Sequence, residues 1–247
     1  MLDFLPLGTT EFEYSEKTLG SGTAVYVAIP EGEIKFGLVL VPDVFGLRPL
    51  VSETISQLAS NSIAVIAVEP FSHMSDNPTQ LSREEKLSRV KDLDDQMQCA
   101  DILAAGKILR NVHGCKNVSL IGFCIGGMYA FKTAGVGEFD SVVACYGMIT
   151  MPQEWIGPGQ KDAIKYLELD TCSKVLAIVG KQDEGFAKPD DLEYLEKVLT
   201  NSRHQENGSK LEIFKEAGHA FMHDPDRSEY RLEDARDAWK QAFTFMF

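Results

Sequence analysis

The sequence predicts an α/β fold with a mostly parallel central sheet and helices on both faces. Three observations carry that expectation. Short β-rich runs alternate with longer stretches of helical periodicity. Several of the short runs are continuously apolar, as strands covered on both faces must be. No internal repeat, low-complexity tract or linker-like composition shift divides the chain, so residues 1–247 are expected to form one domain.

The elements follow in order. Residues 23–29 (TAVYVAI) alternate like an edge strand, and residues 36–41 (FGLVLV) form an apolar run closed by Pro42. Residues 48–60 make an amphipathic helix, and residues 63–68 (IAVIAV) a second buried strand closed by Glu69 and Pro70. From Ser82, the positions Leu87, Val90, Leu93, Met97, Ala100, Ala104 and Ile108 recur at steps of three and four. One long helix lying on the sheet fits that spacing, with Asp92, Asp94, Asp95 and Asp101 on a solvated face. A strand at 117–121, a helix at 125–134 and a strand at 141–145 precede an irregular loop through Gly147, Pro152, Gly157 and Pro158. A strand at 174–179, a helix at 189–201, a strand at 210–214 and a final helix at 229–246 complete the pattern. Parallel strands joined by crossover helices are the economical reading.

Composition narrows the function. Lys and Arg number 24 against 37 Asp and Glu, a formal charge of −13 that repels phosphate backbones, so nucleic acid is not an expected partner. Acids stand where a signal peptide needs basic residues, and no apolar run approaches 18 residues, so neither export nor membrane association is expected. The five cysteines are odd in number and unevenly spaced, which suits reduced thiols and a cytoplasmic location. The expected assembly is a monomer or weak homodimer.

The chemistry centres on NVSLIGFCIGGMYA, a strand, then Gly122-Phe123-Cys124-Ile125-Gly126, then a helix. This is a GxCxG nucleophile elbow, which lifts the central residue above the carboxyl edge of the sheet. A Cβ on either flanking residue would crowd the turn, and the helix N-terminus lends positive potential to a thiolate. Alone, the match fits a structural cysteine beside packing glycines equally well. Its context distinguishes the two: Asp183 lies just past strand 174–179 and His219 just past strand 210–214, the order nucleophile, acid, histidine that such a site requires. Cys124, Asp183 and His219 are therefore the expected triad, and the Ile125 amide, next after the nucleophile, an expected oxyanion donor. His219 and His223 are spaced HxxxH, but no third ligand stands nearby, so no metal or other cofactor is expected. Phe71, Met148, Met151 and Trp155 lie in loops after strands and are candidates to line a pocket.

With these motifs the chain resembles the dienelactone hydrolase family, the cysteine-nucleophile branch of the α/β-hydrolase fold, over nearly its whole length. GFCIGG matches the family's elbow, GKQD its acid loop, AGHAF its histidine loop, and PDVFG the turn that supplies a second oxyanion amide, here that of Val44. The resemblance implies a carboxylic ester or lactone hydrolase working through a thioester on a small-molecule substrate. Asp43 stands where lactone-cleaving members carry a glutamate paired with the resting cysteine. In the well-known members two arginines hold the substrate carboxylate. The matching positions here are His73, in EPFSH, and His223, in HAFMH, which implies no permanent dicationic clamp and no selectivity for an anionic dienelactone. The alternative class is a non-hydrolytic relative that uses the fold to bind a ligand or respond to redox state through its thiol.

Overall fold

The computed structural model describes residues 4–74, 81–169 and 172–247. Eight strands among them form one sheet: β1 (Phe12–Thr18), β2 (Ala24–Pro30), β3 (Phe36–Val41), β4 (Ile63–Val68), β5 (Val118–Phe123), β6 (Ser141–Cys145), β7 (Val175–Gly180) and β8 (Lys210–Phe214). Their spatial order is β1-β2-β4-β3-β5-β6-β7-β8. From β4 to β8 every neighbouring pair is parallel, while β2 runs antiparallel to both β1 and β4.

The parallel strands are apolar on both faces because both faces are covered. In β3, Val39 and Val41 enter the core on one side, Leu38 and Leu40 the core on the other. Helices α1 (Pro49–Ala59) and α8 (Leu232–Met246) bury Ile55, Leu58 and Trp239 on the second side. The first side carries α3 (Asp95–Asn111), α4 (Ile125–Ala134) and α6 (Pro189–Leu199), with α2 (Arg83–Ser88), α5 (Ile164–Leu167) and α7 (Ser202–Asn207) as short connectors.

The observed elements differ from those expected in three places. Residues 12–18 (FEYSEKT), too polar to announce a strand, form β1, which is exposed and occupies the sheet edge, where charged side chains are normal. Residues 23–29 are consequently the second strand and not the edge. The single helix expected from Ser82 is broken into α2, a turn at Val90–Asp92, and α3. Asp94 causes the restart: its Oδ1 accepts the Met97 N–H at 2.9 Å, an N-cap that fixes where α3 begins. The break shifts the apolar phase, so Met97 is exposed while Cys99, Ile102, Ala105 and Leu109 are buried.

The supposedly solvated acids are also redistributed, for Asp95 and Asp101 are buried. Asp95 Oδ1 lies 2.6 Å from the fully buried Lys132 Nζ of α4. Its Oδ2 accepts the Lys161 N–H and the Tyr166 O–H, each at 2.9 Å. This cluster fastens the loop after β6 to α3 and α4, and that loop delivers Met148 and Trp155 to the carboxyl edge of the sheet. Burial pushes the Lys132 pKa down from its ordinary value, opposed by the Asp95 carboxylate. Removing the cation alone strands a buried carboxylate, so Lys132→Ala is expected to lower the unfolding free energy by about 3–5 kcal/mol in a urea titration. A loss under about 1 kcal/mol would show that the pair does not fasten the loop.

Candidate active site

The site is built from the turns that leave the carboxyl ends of β3, β5, β7 and β8. Cys124 follows β5 with φ 56° and ψ −114°, a strained conformation for any residue with a side chain. Space forces it. A Cβ on Gly122 would stand 2.1 Å from the Gly126 carbonyl oxygen, and one on Gly126 would stand 2.2 Å from that of Val41. The chain therefore turns at Cys124, whose N–H donates to the Cys145 carbonyl at 3.0 Å. Although Cys124 is the N-cap of α4, its side chain makes no capping bond, so the sulfur is left for other work.

Asp183 is placed by the turn after β7. Its N–H donates to the Gly180 carbonyl at 3.2 Å, and its Oδ1 accepts from the Phe186 N–H at 3.2 Å. Oδ2 faces His219 Nδ1 at 2.7 Å. The two loops are joined directly, since the Gln182 N–H donates to the Ala217 carbonyl at 2.9 Å. Phe186 and Tyr146 hold the imidazole between them, with ring centroids 4.8 and 5.3 Å away. His219 Nε2 is buried with no hydrogen-bond partner among the described residues. Burial alone would lower the His219 pKa. The Cys124 thiolate and then the Asp183 carboxylate outweigh that effect and push it up to about 10.

Cys124 and His219 open on a cavity of about 210 Å³ that is also lined by Val44, Ile125, Met148, Trp155 and Phe186. Arg83 and Arg227 line the same cavity. Sequence reasoning missed both arginines: Arg83 opens a short helix separated from its neighbours by the break at Asp94, and Arg227 lies in a turn remote from any motif.

The expected anion-site histidines go elsewhere. His73 Nε2 lies 2.6 Å from Asp101 Oδ2 and 3.0 Å from Thr23 Oγ1, and it does not line the cavity. His223 is sandwiched with Nε2 2.9 Å from Asp43 Oδ2, Nδ1 2.5 Å from the Tyr146 hydroxyl, and its ring stacked on Phe123. It too lies outside the cavity, and the HxxxH pair does not converge on a common point. Asp43 is almost wholly buried. Burial would raise its pKa, but the His223 hydrogen bond and charge, with the Arg48 guanidinium at 3.2 Å, hold it down at about 2. Its other oxygen accepts from the Phe45 N–H at 3.1 Å, so Asp43 braces the turn after β3. Phe71 is fully buried beneath that turn and does not line the cavity.

Comparison with known proteins agrees with this architecture. Residues 23–247 match the model of the dienelactone hydrolase family. A carboxymethylenebutenolidase of Rhodococcus opacus is 26% identical over 212 residues, covering 84% of this chain and 79% of that protein. A Bradyrhizobium protein named "Probable 2-oxo-3-(5-oxofuran-2-ylidene)propanoate lactonase" is 24% identical over 253 residues, covering 99% and 93%. A crystal structure from Klebsiella pneumoniae subsp. pneumoniae that bears the dienelactone hydrolase name superposes with a TM-score of 0.78 at 21% identity, covering 96% of this chain and 98% of that one. The fold is that of the α/β-hydrolases, and the chain belongs to the dienelactone hydrolase family.

Proposed function

We propose that this family hydrolase of esters or lactones works through Cys124 as nucleophile, His219 as acid and base, and Asp183 as the group that orients and stabilises the imidazolium. One observation carries the reading above all: a buried His219 Nε2 without a conventional partner shares a cavity with an uncapped, strained cysteine, while Nδ1 is fixed on a carboxylate.

The steps follow from the charges. The raised His219 pKa favours the imidazolium, and the sulfur reacts as the thiolate. The sulfur adds to the substrate carbonyl carbon, and the π pair moves to oxygen as an oxyanion. The Val44 and Ile125 amides are the proposed donors to it; both residues line the cavity. The N–H groups of Phe45, Gly46 and Leu47 are already engaged by Asp43 Oδ1, the Asp43 carbonyl and Glu69 Oε2. When the oxyanion collapses, the C–O bond breaks and the leaving alkoxide takes the imidazolium proton. A thioester and a neutral imidazole remain. The thiolate that did most to hold the proton on His219 is gone, so the ring can now accept one from water, which adds to the thioester carbonyl and releases the acid. Collapse of this second oxyanion breaks the C–S bond and frees the thiolate, and the proton taken from water stays on His219, which restores the starting pair.

The two arginines that line the cavity suit an anionic substrate, where the resemblance implied no selectivity for one. Among the described residues Arg83 is the freer cation, paired only with Glu84 at 3.9 Å. Arg227 is shared with Asp43 at 3.8 Å and Glu229 at 3.6 Å. A small ester or lactone carrying a carboxylate is the substrate class that fits this pair of guanidinium groups.

Chromogenic esters test the reading. Cys124→Ala and His219→Ala are each expected to abolish nearly all turnover of 4-nitrophenyl acetate, with the double variant little worse, because the two groups act as a unit. Full activity in Cys124→Ala would refute the nucleophile assignment. Iodoacetamide is expected to modify Cys124 before the buried Cys99, Cys115 and Cys145, whose thiols burial pushes up. Preferential labelling of any of those three, read by mass spectrometry with turnover preserved, would sink the nucleophile assignment. For the anion site, Arg83→Ala should lower kcat/KM for a monoester of a dicarboxylic acid by about tenfold, the loss of one solvent-exposed charged contact. The neutral methyl-capped ester should change little; equal losses on both substrates would remove Arg83 from substrate recognition.

A further inference from the structure

Lys86 is a buried lysine that the proposed chemistry leaves unused. It lies on α2 between Arg83 and Leu87, which both line the cavity, yet its own side chain turns the other way and is 2% exposed. Its Nζ donates to the Phe45 carbonyl at 3.0 Å and stands 5.2 Å from the centroid of the buried Phe71 ring. Phe45 adjoins Val44, the proposed oxyanion donor on the turn after β3.

The rest of that turn is held from within the sheet. Asp43 takes the Phe45 and Gly46 N–H groups, through its side chain and its carbonyl respectively. Glu69, at the end of β4, takes the Leu47 N–H at 2.7 Å and the Phe71 N–H at 3.1 Å. Gly46 has a φ of 70°, and a Cβ there would stand 2.3 Å from the Glu69 carboxylate, so turn and acid are packed without slack. Lys86 supplies a polar tie that comes from α2, the helix that also presents Arg83.

We infer that Lys86 is a positioning residue: its bond to the Phe45 carbonyl sets the Val44 amide against the nucleophile and couples that amide to the helix carrying Arg83. Occupation of Arg83 by a substrate carboxylate would thereby steady the oxyanion donor on the far side of the same cavity. Burial lowers the Lys86 pKa, opposed by the Glu69 and Asp43 carboxylates. The amine keeps an N–H to donate in either protonation state. This inference rests on the assignment of Cys124 and Val44 made above.

Two reagents that meet the same sulfur separate positioning of the oxyanion donor from general damage. A trifluoromethyl ketone accepts the thiolate at its carbonyl carbon, the π pair moves to oxygen, and nothing leaves, so its affinity reports on the donors. Iodoacetamide forms the C–S bond as iodide departs and develops no oxyanion. Lys86→Met keeps the apolar stem and removes the donor. It is expected to lose about 10–100-fold in kcat on 4-nitrophenyl acetate and a similar factor in trifluoromethyl ketone affinity, less than or comparable to direct removal of one oxyanion donor. KM and the iodoacetamide rate should stay within about twofold, and Lys86→Arg should restore most of kcat. Unchanged kcat and ketone affinity in Lys86→Met would overturn the inference, as would parallel losses in all readouts, which mark a merely structural lysine. If Lys86→Met does not fold, Lys86→Leu, which likewise removes the donor, carries the same comparison. Cys124→Ala decides the parent reading separately: if it stays active that reading fails, whereas an inactive Cys124→Ala beside a fully active Lys86→Met condemns the Lys86 inference alone.

Discussion

The site depends on one cramped turn. Between β5 and α4 the backbone reverses in so little space that neither flanking residue has room for a side-chain carbon, and Cys124 takes a φ of 56° that costs roughly 1–3 kcal/mol. Packing on both sides of the sheet bears that cost. Because β5 is central, with β3 on one side and β6 on the other, the strands beside it fix what surrounds the sulfur. The turn after β3 brings Val44, the residue after β6 brings Tyr146 under the imidazole, and the turns after β7 and β8 bring Asp183 and His219. Chain topology thus sets the order of the groups around Cys124, and local turns set their distances.

Much of this was legible in the sequence, and the reason is that the relevant signals are short-range. GFCIG encodes the geometry of its own turn, since neither glycine position has room for a Cβ, while the positions of Asp183 and His219 after later strands are what set it apart from a structural cysteine. The acid and histidine could be placed because they sit immediately after strands that apolar runs make visible. What could not be read were contacts between segments that share no pattern. Asp95 and Asp101 looked solvated because nothing in their own segment announces Lys132 or the Thr23–His73 pair. β1 was invisible because an edge strand need not be apolar. Glu69, a lone acid after IAVIAV, visibly closes a strand, but its hold on the Leu47 N–H depends on a turn 22 residues away and has no local signal. Motif offset leads to His73 and His223 for a similar reason, whereas the residues that line the cavity include Arg83 and Arg227.

The distribution of charge separates the cavity from the rest of the molecule. A chain with a formal charge of −13 places two arginines at the mouth of this site and a third cation behind its wall. Opposing them is Asp43, ionised and inaccessible, which draws on Arg48, Arg227 and His223 at once. Of the two arginines, Arg227 is shared with Asp43 and Glu229, and Arg83 is paired with Glu84 at 3.9 Å. The field inside the cavity is therefore set by buried groups as much as by those that line it.

The sheet order places His219 on the loop that follows β8, a five-residue strand with only one neighbour. Hydrogen bonds at such an edge open without disturbing the interior, so local opening of β8 samples free energies well below that of complete unfolding. When β8 frays, the imidazole leaves its carboxylate while the elbow and both cores persist. Mild heat or denaturant should therefore silence the protein while its bulk secondary structure is still intact, and amide exchange along β8, rather than the melting temperature, is the quantity that tracks the working lifetime of the site.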